Sequence, residues 1–158
     1  MSDLTPEAAA DATKTYTDAD LLARFQNSKN QPPGSETLGF RMLRVDQKAM
    51  LVEVEFQALK AFCNPMRQIQ GGYLCAMLDD TMSVAGLVAS GMTCVMPTLE
   101  MKTSFLRPAK PGTLRCIGKV LKWGRSIAFT EGELFDEAGT LLAKATATAK
   151  PTPFASFK

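Results

Sequence analysis

The run Asn64-Pro-Met-Arg-Gln-Ile-Gln70-Gly71-Gly72, with Asp79 further on, holds the groups best suited to chemistry. A Gly-Gly pair at the start of a helix lets backbone approach a ligand closely. The first N–H groups of a helix have no intrahelical acceptor and stand at the positive end of its dipole, which favours a developing oxyanion. Asp79 lies about two turns further along the same rod, as a carboxylate fit to be a general base or a nucleophile. Each feature also has a plainer reading. Gly-Gly is a common hinge, a helical Asp beside Asp80 is commonly solvated, and a small-residue stripe is commonly packing. Histidine is absent from the chain. That removes Ser-His-Asp and Cys-His catalysis, His-ligated zinc and Asp-His relays. Carboxylates, hydroxyls, amides and backbone groups remain.

These groups must be positioned by one domain, because 158 residues suffice for one and not for two. The 46% hydrophobic and 22% charged content is that of a globular chain. A net charge of +2 is no footprint for nucleic acid, so no such partner is expected. Cys63, Cys75, Cys94 and Cys116 form no CxxC pair and sit among apolar neighbours. They read as buried or half-buried thiols in a reducing compartment. The acidic, polar start has neither the basic nor the apolar region of a signal peptide. The uncharged run Thr81–Leu99 is broken by Gly86, Gly91 and Pro97. A cytoplasmic protein without a membrane partner is therefore expected.

The periodicity supplies the elements. Residues 1 to about 17 read as a loose arm, and a short helix follows from Asp18, with Thr17 or Asp18 as its cap and Leu21, Leu22 and Phe25 as its apolar face. Asn30–Ser35 reads as a breaker. Gly39–Val45 and Ala49–Phe56 alternate with period two, as strands around an Asp46-Gln47-Lys48 turn. One long helix is predicted over Gly72–Ser90. Its bulky face is Leu74, Leu78, Met82, Ala85 and Ala89, and its small stripe is Gly72, Ala76, Asp79, Ser83, Gly86 and Ser90. Four strands follow: Leu99–Leu106, Thr113–Lys122, Ser126–Phe135 and Thr140–Lys150. Their turns are too short for parallel crossovers, so they form an antiparallel meander. An α+β hotdog fold satisfies this order, a curved antiparallel β-sheet wrapped around one long central α-helix. Residues 1–35 are then an N-terminal arm with a short helix, 36–152 the hotdog domain and 153–158 a C-terminal tail.

The run NPMRQIQGGYLCAMLD resembles the signature of the PaaI-type acyl-CoA thioesterases, a hotdog family. That signature is Asn, a short spacer, His-Gly-Gly, then Asp eight residues beyond the first Gly; here Gly71 and Asp79 keep the spacing. The resemblance extends through Ser104–Gly112, Gly124-Arg125, Asp136–Gly139 and the Ala/Thr-rich last strand, over about residues 36–152. It implies that Asp79 activates water or attacks the thioester, that the Gly71 N–H polarises the thioester carbonyl, that Asn64 orients water or the carboxylate, and that Thr98 holds the nucleophilic water. It also implies a site formed between two subunits, in a homodimer or a dimer of dimers, and no cofactor beyond the coenzyme A of the substrate. Gln70 stands where the family has His, and Arg67 where small residues are usual. The resemblance also implies that Gln70 and Gly72 border the substrate, and Arg107, Lys110, Lys122 and Arg125 are candidates for a basic rim facing the CoA phosphates. Met66, Tyr73, Met77 and Met82 lie near enough to line a pocket for an aromatic or medium-chain acyl group, and equally fit a core. The competing readings are a non-catalytic acyl-CoA or lipid-binding hotdog module, a structural dimer in a larger assembly, and an enoyl-CoA hydratase. The hydratase would need an Asp-His pair that this chain does not have.

Overall fold

The computed structural model describes residues 15–157. The expected loose arm therefore lies outside the described residues up to residue 14, and residues 15–17 are docked, with Gln47 Nε2 donating to the Tyr16 carbonyl at 3.0 Å. Helix α1, Asp18–Gln26, opens with a capping box: Thr17 accepts from the Asp20 N–H and the Asp20 carboxylate accepts from the Thr17 N–H. Leu21 is fully buried in the main core, so this helix is part of the same packed unit as the sheet. The breaker reading of Asn30–Ser35 is half right. The chain does leave α1 there, but Pro33 opens a further short helix α2, Pro33–Leu38, at the first-turn position where its missing N–H costs nothing.

Six strands form one antiparallel sheet in the order β1-β2-β5-β6-β7-β4. They are β1 Arg41–Asp46, β2 Leu51–Ala58, β4 Thr98–Phe105, β5 Gly112–Trp123, β6 Ala128–Phe135 and β7 Leu141–Ala149. A two-residue pair, β3 Cys94–Val95 with β8 Thr152–Pro153, fastens the end of the chain beside the loop that leaves the long helix. The C-terminal tail expected from residue 153 is thus joined to the domain at its first residue, Pro153, which pairs with Cys94.

The long helix α3, Gly71–Ala89, lies across the inner face of the sheet. Leu74, Leu78, Met82 and Ala85 of the expected bulky face are buried, and Met77, Thr81 and Val88 join them. The sheet admits the helix along a row of small residues in register, Gly118 against Gly132 against Ala145. At Gly118 a Cβ would stand 2.7 Å from the Thr81 carbonyl oxygen, so the closeness of helix to sheet depends on its absence. Ala143, Ala145, Ala147 and Ala149 bury the inner face of β7, with a register shift near Phe135 that also lets Leu142 turn inward. This is the hotdog fold, α+β, with the curved sheet around its helix.

Strand β4 ends the sheet, and its outer edge has no neighbour among the described residues. A bulge at Leu99 breaks the simple alternation. Thr98, Met101, Thr103 and Phe105 lie in register with the buried alanines of β7 and face the helix, while Leu99 is 58% exposed.

Candidate active site

The helix α3 and the inner face of β4 run past each other and meet at three levels. Thr98 Oγ1 donates to Asp79 Oδ1 at 2.6 Å, the length of a charge-assisted O–H···O bond. Cys75 Sγ donates to Thr103 Oγ1 at 3.5 Å. At the helix start the tip of the Phe105 ring lies close over Gly71, 2.9 Å from where a Cβ would stand, so a side chain there would have to push the ring aside. Gly72 has nothing within that range and is open to solvent, so of the two glycines only the first is closely approached. The stripe Gly72, Ala76, Asp79 and Ser83 is the uncovered or half-covered side of the helix, which leaves the Asp79 carboxylate half-buried at an open face.

The helix start is built from backbone. Gln70 is its N-cap; its N–H donates to the Phe62 carbonyl, and its own carbonyl accepts from Tyr73 and Leu74. The Gly71 and Gly72 N–H groups have no acceptor among the described residues. The exposed Gln70 side chain makes no capping bond, so the shape of this turn does not need the family's imidazole. Upstream, Asn64 Oδ1 accepts from the Met66 and Gln68 N–H groups at 2.9 and 3.2 Å, and a Cys63–Ile69 bridge closes the loop. Asn64 therefore ties its own loop together, with its Nδ2 left without a partner among the described residues. Arg67 sits exposed at the tip with φ 59°, a left-handed position that glycine would occupy without strain.

The expected site residues fall into two groups within one protomer. Asp79 and Thr98 are bonded together, and Asn64, Gln70, Gly71 and Gly72 form the helix-start loop. Eight residues of α-helix put Asp79 roughly 12 Å from Gly71. The basic residues divide in the same way. Arg107 donates to the Leu141 carbonyl at 2.9 Å and, with Lys110, lies toward the β6–β7 turn. Lys122 and Arg125 stand at the other end, on the β5–β6 hairpin. Met77 and Met82 are core residues, Tyr73 stacks on Phe62 with centroids 4.2 Å apart, and Met66 is 75% exposed on the loop. Phe105 is the contact that residue spacing does not suggest; only the pairing of β4 with β7 brings its ring over Gly71. Two surface depressions, of about 410 and 350 Å³, lie around Thr113, Asp136 and Glu137, and neither is lined by Asp79 or Gly71.

Other features bear on location and cofactors. No described helix is long and apolar enough to cross a membrane. Among the described residues no three His, Cys, Asp or Glu side chains group as metal ligands. Cys116 is fully buried and its thiol is pushed up to about 12, first by burial, while the other three cysteines are half-buried.

Comparison with known proteins follows the same lines. The family model of the thioesterase superfamily matches residues 69–143, from the helix-start loop to the last strand. A phenylacetic acid degradation-related protein of Ralstonia eutropha JMP134 is 37% identical over 82% of this chain and 98% of its own, with a TM-score of 0.73. The Escherichia coli PaaI protein from the phenylacetic acid degradation operon shares the fold at 19% identity, over 74% of this chain and 86% of its own, with a TM-score of 0.67. A Streptococcus mutans UA159 protein solved bound to acetyl-CoA does so at 24% identity, over 72% and 89%, with a TM-score of 0.63. No curated protein matches the chain. With its Gly-Gly helix start, its helical Asp and its six-stranded sheet, the chain belongs to the thioesterase superfamily, among the PaaI-type hotdog thioesterases.

Proposed function

We propose that the protein hydrolyses an acyl-CoA to free acid and CoA, at a site completed by a second copy of itself. The observation that carries this is the 2.6 Å Thr98–Asp79 bond, which aims a held carboxylate into the open face of a helix whose first two amides lack acceptors. The bond occupies Asp79 Oδ1 and leaves Oδ2 for a water that Thr98 helps to hold. Asp79 takes a proton from that water as its oxygen attacks the thioester carbonyl carbon. The carbonyl oxygen becomes an oxyanion facing the Gly71 N–H, where the helix dipole adds to the hydrogen bond. The intermediate collapses, the carbon–sulfur bond breaks, and the thiolate of CoA leaves with the proton that Asp79 returns.

A carbonyl carbon must lie within about 3 Å of the attacking water and a hydrogen bond's length from the oxyanion donor. The roughly 12 Å between Asp79 and Gly71 of one protomer is too long for that. Two β4 edges pairing antiparallel about a two-fold axis near the middle of the strand would lay the Asp79–Thr98 level of each copy against the Gly71–Phe105 level of the other. The sheets then become continuous and the exposed edge is lost. Asn64 acts by fixing the loop that carries Gly71. The acyl group is aromatic or of medium length, and the Ralstonia relative's link to phenylacetic acid degradation supports the aromatic class.

Thiol release from a panel of aromatic and aliphatic acyl-CoAs tests the reading. Asp79→Asn is expected to lower turnover by on the order of 10²–10⁴-fold on the best substrate. Full turnover in that variant would make Asp79 a bystander, and binding without thiol release from the wild type would favour the non-catalytic module. Single turnover in ¹⁸O-water separates base from nucleophile. A base leaves Asp79 unlabelled, whereas an Asp79 anhydride opened by water at the aspartyl carbon leaves the label in its carboxylate.

A further inference from the structure

Resting on the acyl-CoA reading, we propose that the acyl group lies in the place that the Met96 side chain fills beside Asp79, so that Met96, by swinging aside, sets how long an acyl group the site accepts. Met96 lies in the two-residue link between β3 and β4, two residues before Thr98. It is buried in a small core of its own, with Ala128 and Ala149. The bed it occupies has no side chain longer than a methyl group. On the sheet side it is Ala149 and Ala128, which continue the row that begins at Thr98. On the helix side it is Gly86 of α3, where a Cβ would stand 2.5 to 2.9 Å from Met96 Cγ, Cε and Sδ.

Two measures place this bed next to the candidate base. One and two strand spacings put Ala149 and Ala128 about 5 and 10 Å from Thr98, whose hydroxyl is bonded to Asp79. Along α3, Gly86 follows Asp79 by about two turns, a rise of about 10 Å. At about 1.2 Å per bond of an extended chain, that depth takes about eight bonds. It suits a medium-chain acyl group or an arylalkyl one. On the other side of Asp79 the helix and β4 already touch, Cys75 on Thr103 and Gly71 beneath Phe105. A thioester held at Asp79 therefore has its acyl room toward Met96.

The backbone around Met96 is pinned. The β3–β8 pair holds Val95, the Met96 carbonyl accepts from Ser83 Oγ at 3.5 Å, and the Pro97 carbonyl accepts from the Lys150 N–H at 2.9 Å. An unbranched thioether side chain can give way to a ligand without moving that backbone. A β-branched side chain, stiff at χ1, cannot.

The ratio of kcat/KM for octanoyl-CoA over that for butyryl-CoA tests this, because a weakened fold or a slower chemical step lowers both alike. Met96→Ala is expected to raise the ratio about tenfold and Met96→Ile to lower it about tenfold, the scale on which an apolar pocket discriminates by chain length. Isoleucine is close to methionine in size, so Met96→Ile carries the test where Met96→Ala does not fold. A ratio within about twofold of wild type in every variant that folds would overturn the proposal. Failure of the hydrolase reading looks different: no acyl-CoA releases thiol from any of the proteins, and octanoyl-CoA, relative to butyryl-CoA, still raises the melting temperature of Met96→Ala more than that of wild type.

Discussion

Asp79 and Asp80 are neighbours on one helix with opposite circumstances. Asp79 is half-buried, held by Thr98 at the open face. Asp80 turns toward α2, and its Oδ2 is buried with no hydrogen-bond partner. Burial holds its carboxyl above the ordinary carboxylate value, Ser35 draws it down, and the Asp79 charge pushes it up further. An acid whose folded pKa exceeds its unfolded one stabilises the fold while protonated; that contribution fades as pH rises from the unfolded value through the folded one. Asp80→Asn is therefore expected to gain on the order of 1 kcal/mol at pH 7, and to lose that gain toward pH 4. Urea unfolding at the two pH values measures it, and a loss of stability at pH 7 would contradict it. Nothing in residue type separates these two acids. Their spacing from the Gly-Gly pair and from the bulky face marks Asp79 as the candidate for chemistry, but what surrounds Asp80 depends on α2, which the pattern does not show.

At the scale of elements, the helix–sheet contact rests on Gly118. Because a Cβ there meets the helix backbone rather than a movable side chain, Gly118→Ala is expected to destabilise by about 1–3 kcal/mol. At Gly132, its partner in the sheet, the nearest atoms are the ends of Leu78 and Met82, so Gly132→Ala is expected to cost less; thermal unfolding of the pair orders them. The long helix and the strands were legible because their periods, 3.6 and 2, persist over many residues. Helix α2 was not, because Pro33-Gly34 at a first turn has the same composition as a loop. The bulges at Leu99 and Leu121 leave no mark in composition either, since one extra residue changes which side chains face the helix without changing what they are. At the first of them Leu99 turns outward while Thr98 and Met101 keep the inner face.

At the scale of the molecule, residue types and spacing single out Asp79 and Gly71, and the family resemblance adds Thr98 and Asn64, while the fold keeps these residues in two places within one protomer. On the shared-site reading, mixing Asp79→Asn with Asn64→Ala and allowing subunits to exchange is expected to recover about a quarter of wild-type activity. Half the pairs are then mixed, and each mixed pair has one intact site. No recovery would place the whole site within a single chain. On the same reading, the edge of β4, bare among the described residues, makes catalysis a matter of protein concentration. A lone protomer would own a base with no oxyanion donor opposite it, so on dilution the rate per milligram should decay as pairs come apart, long before any chain unfolds.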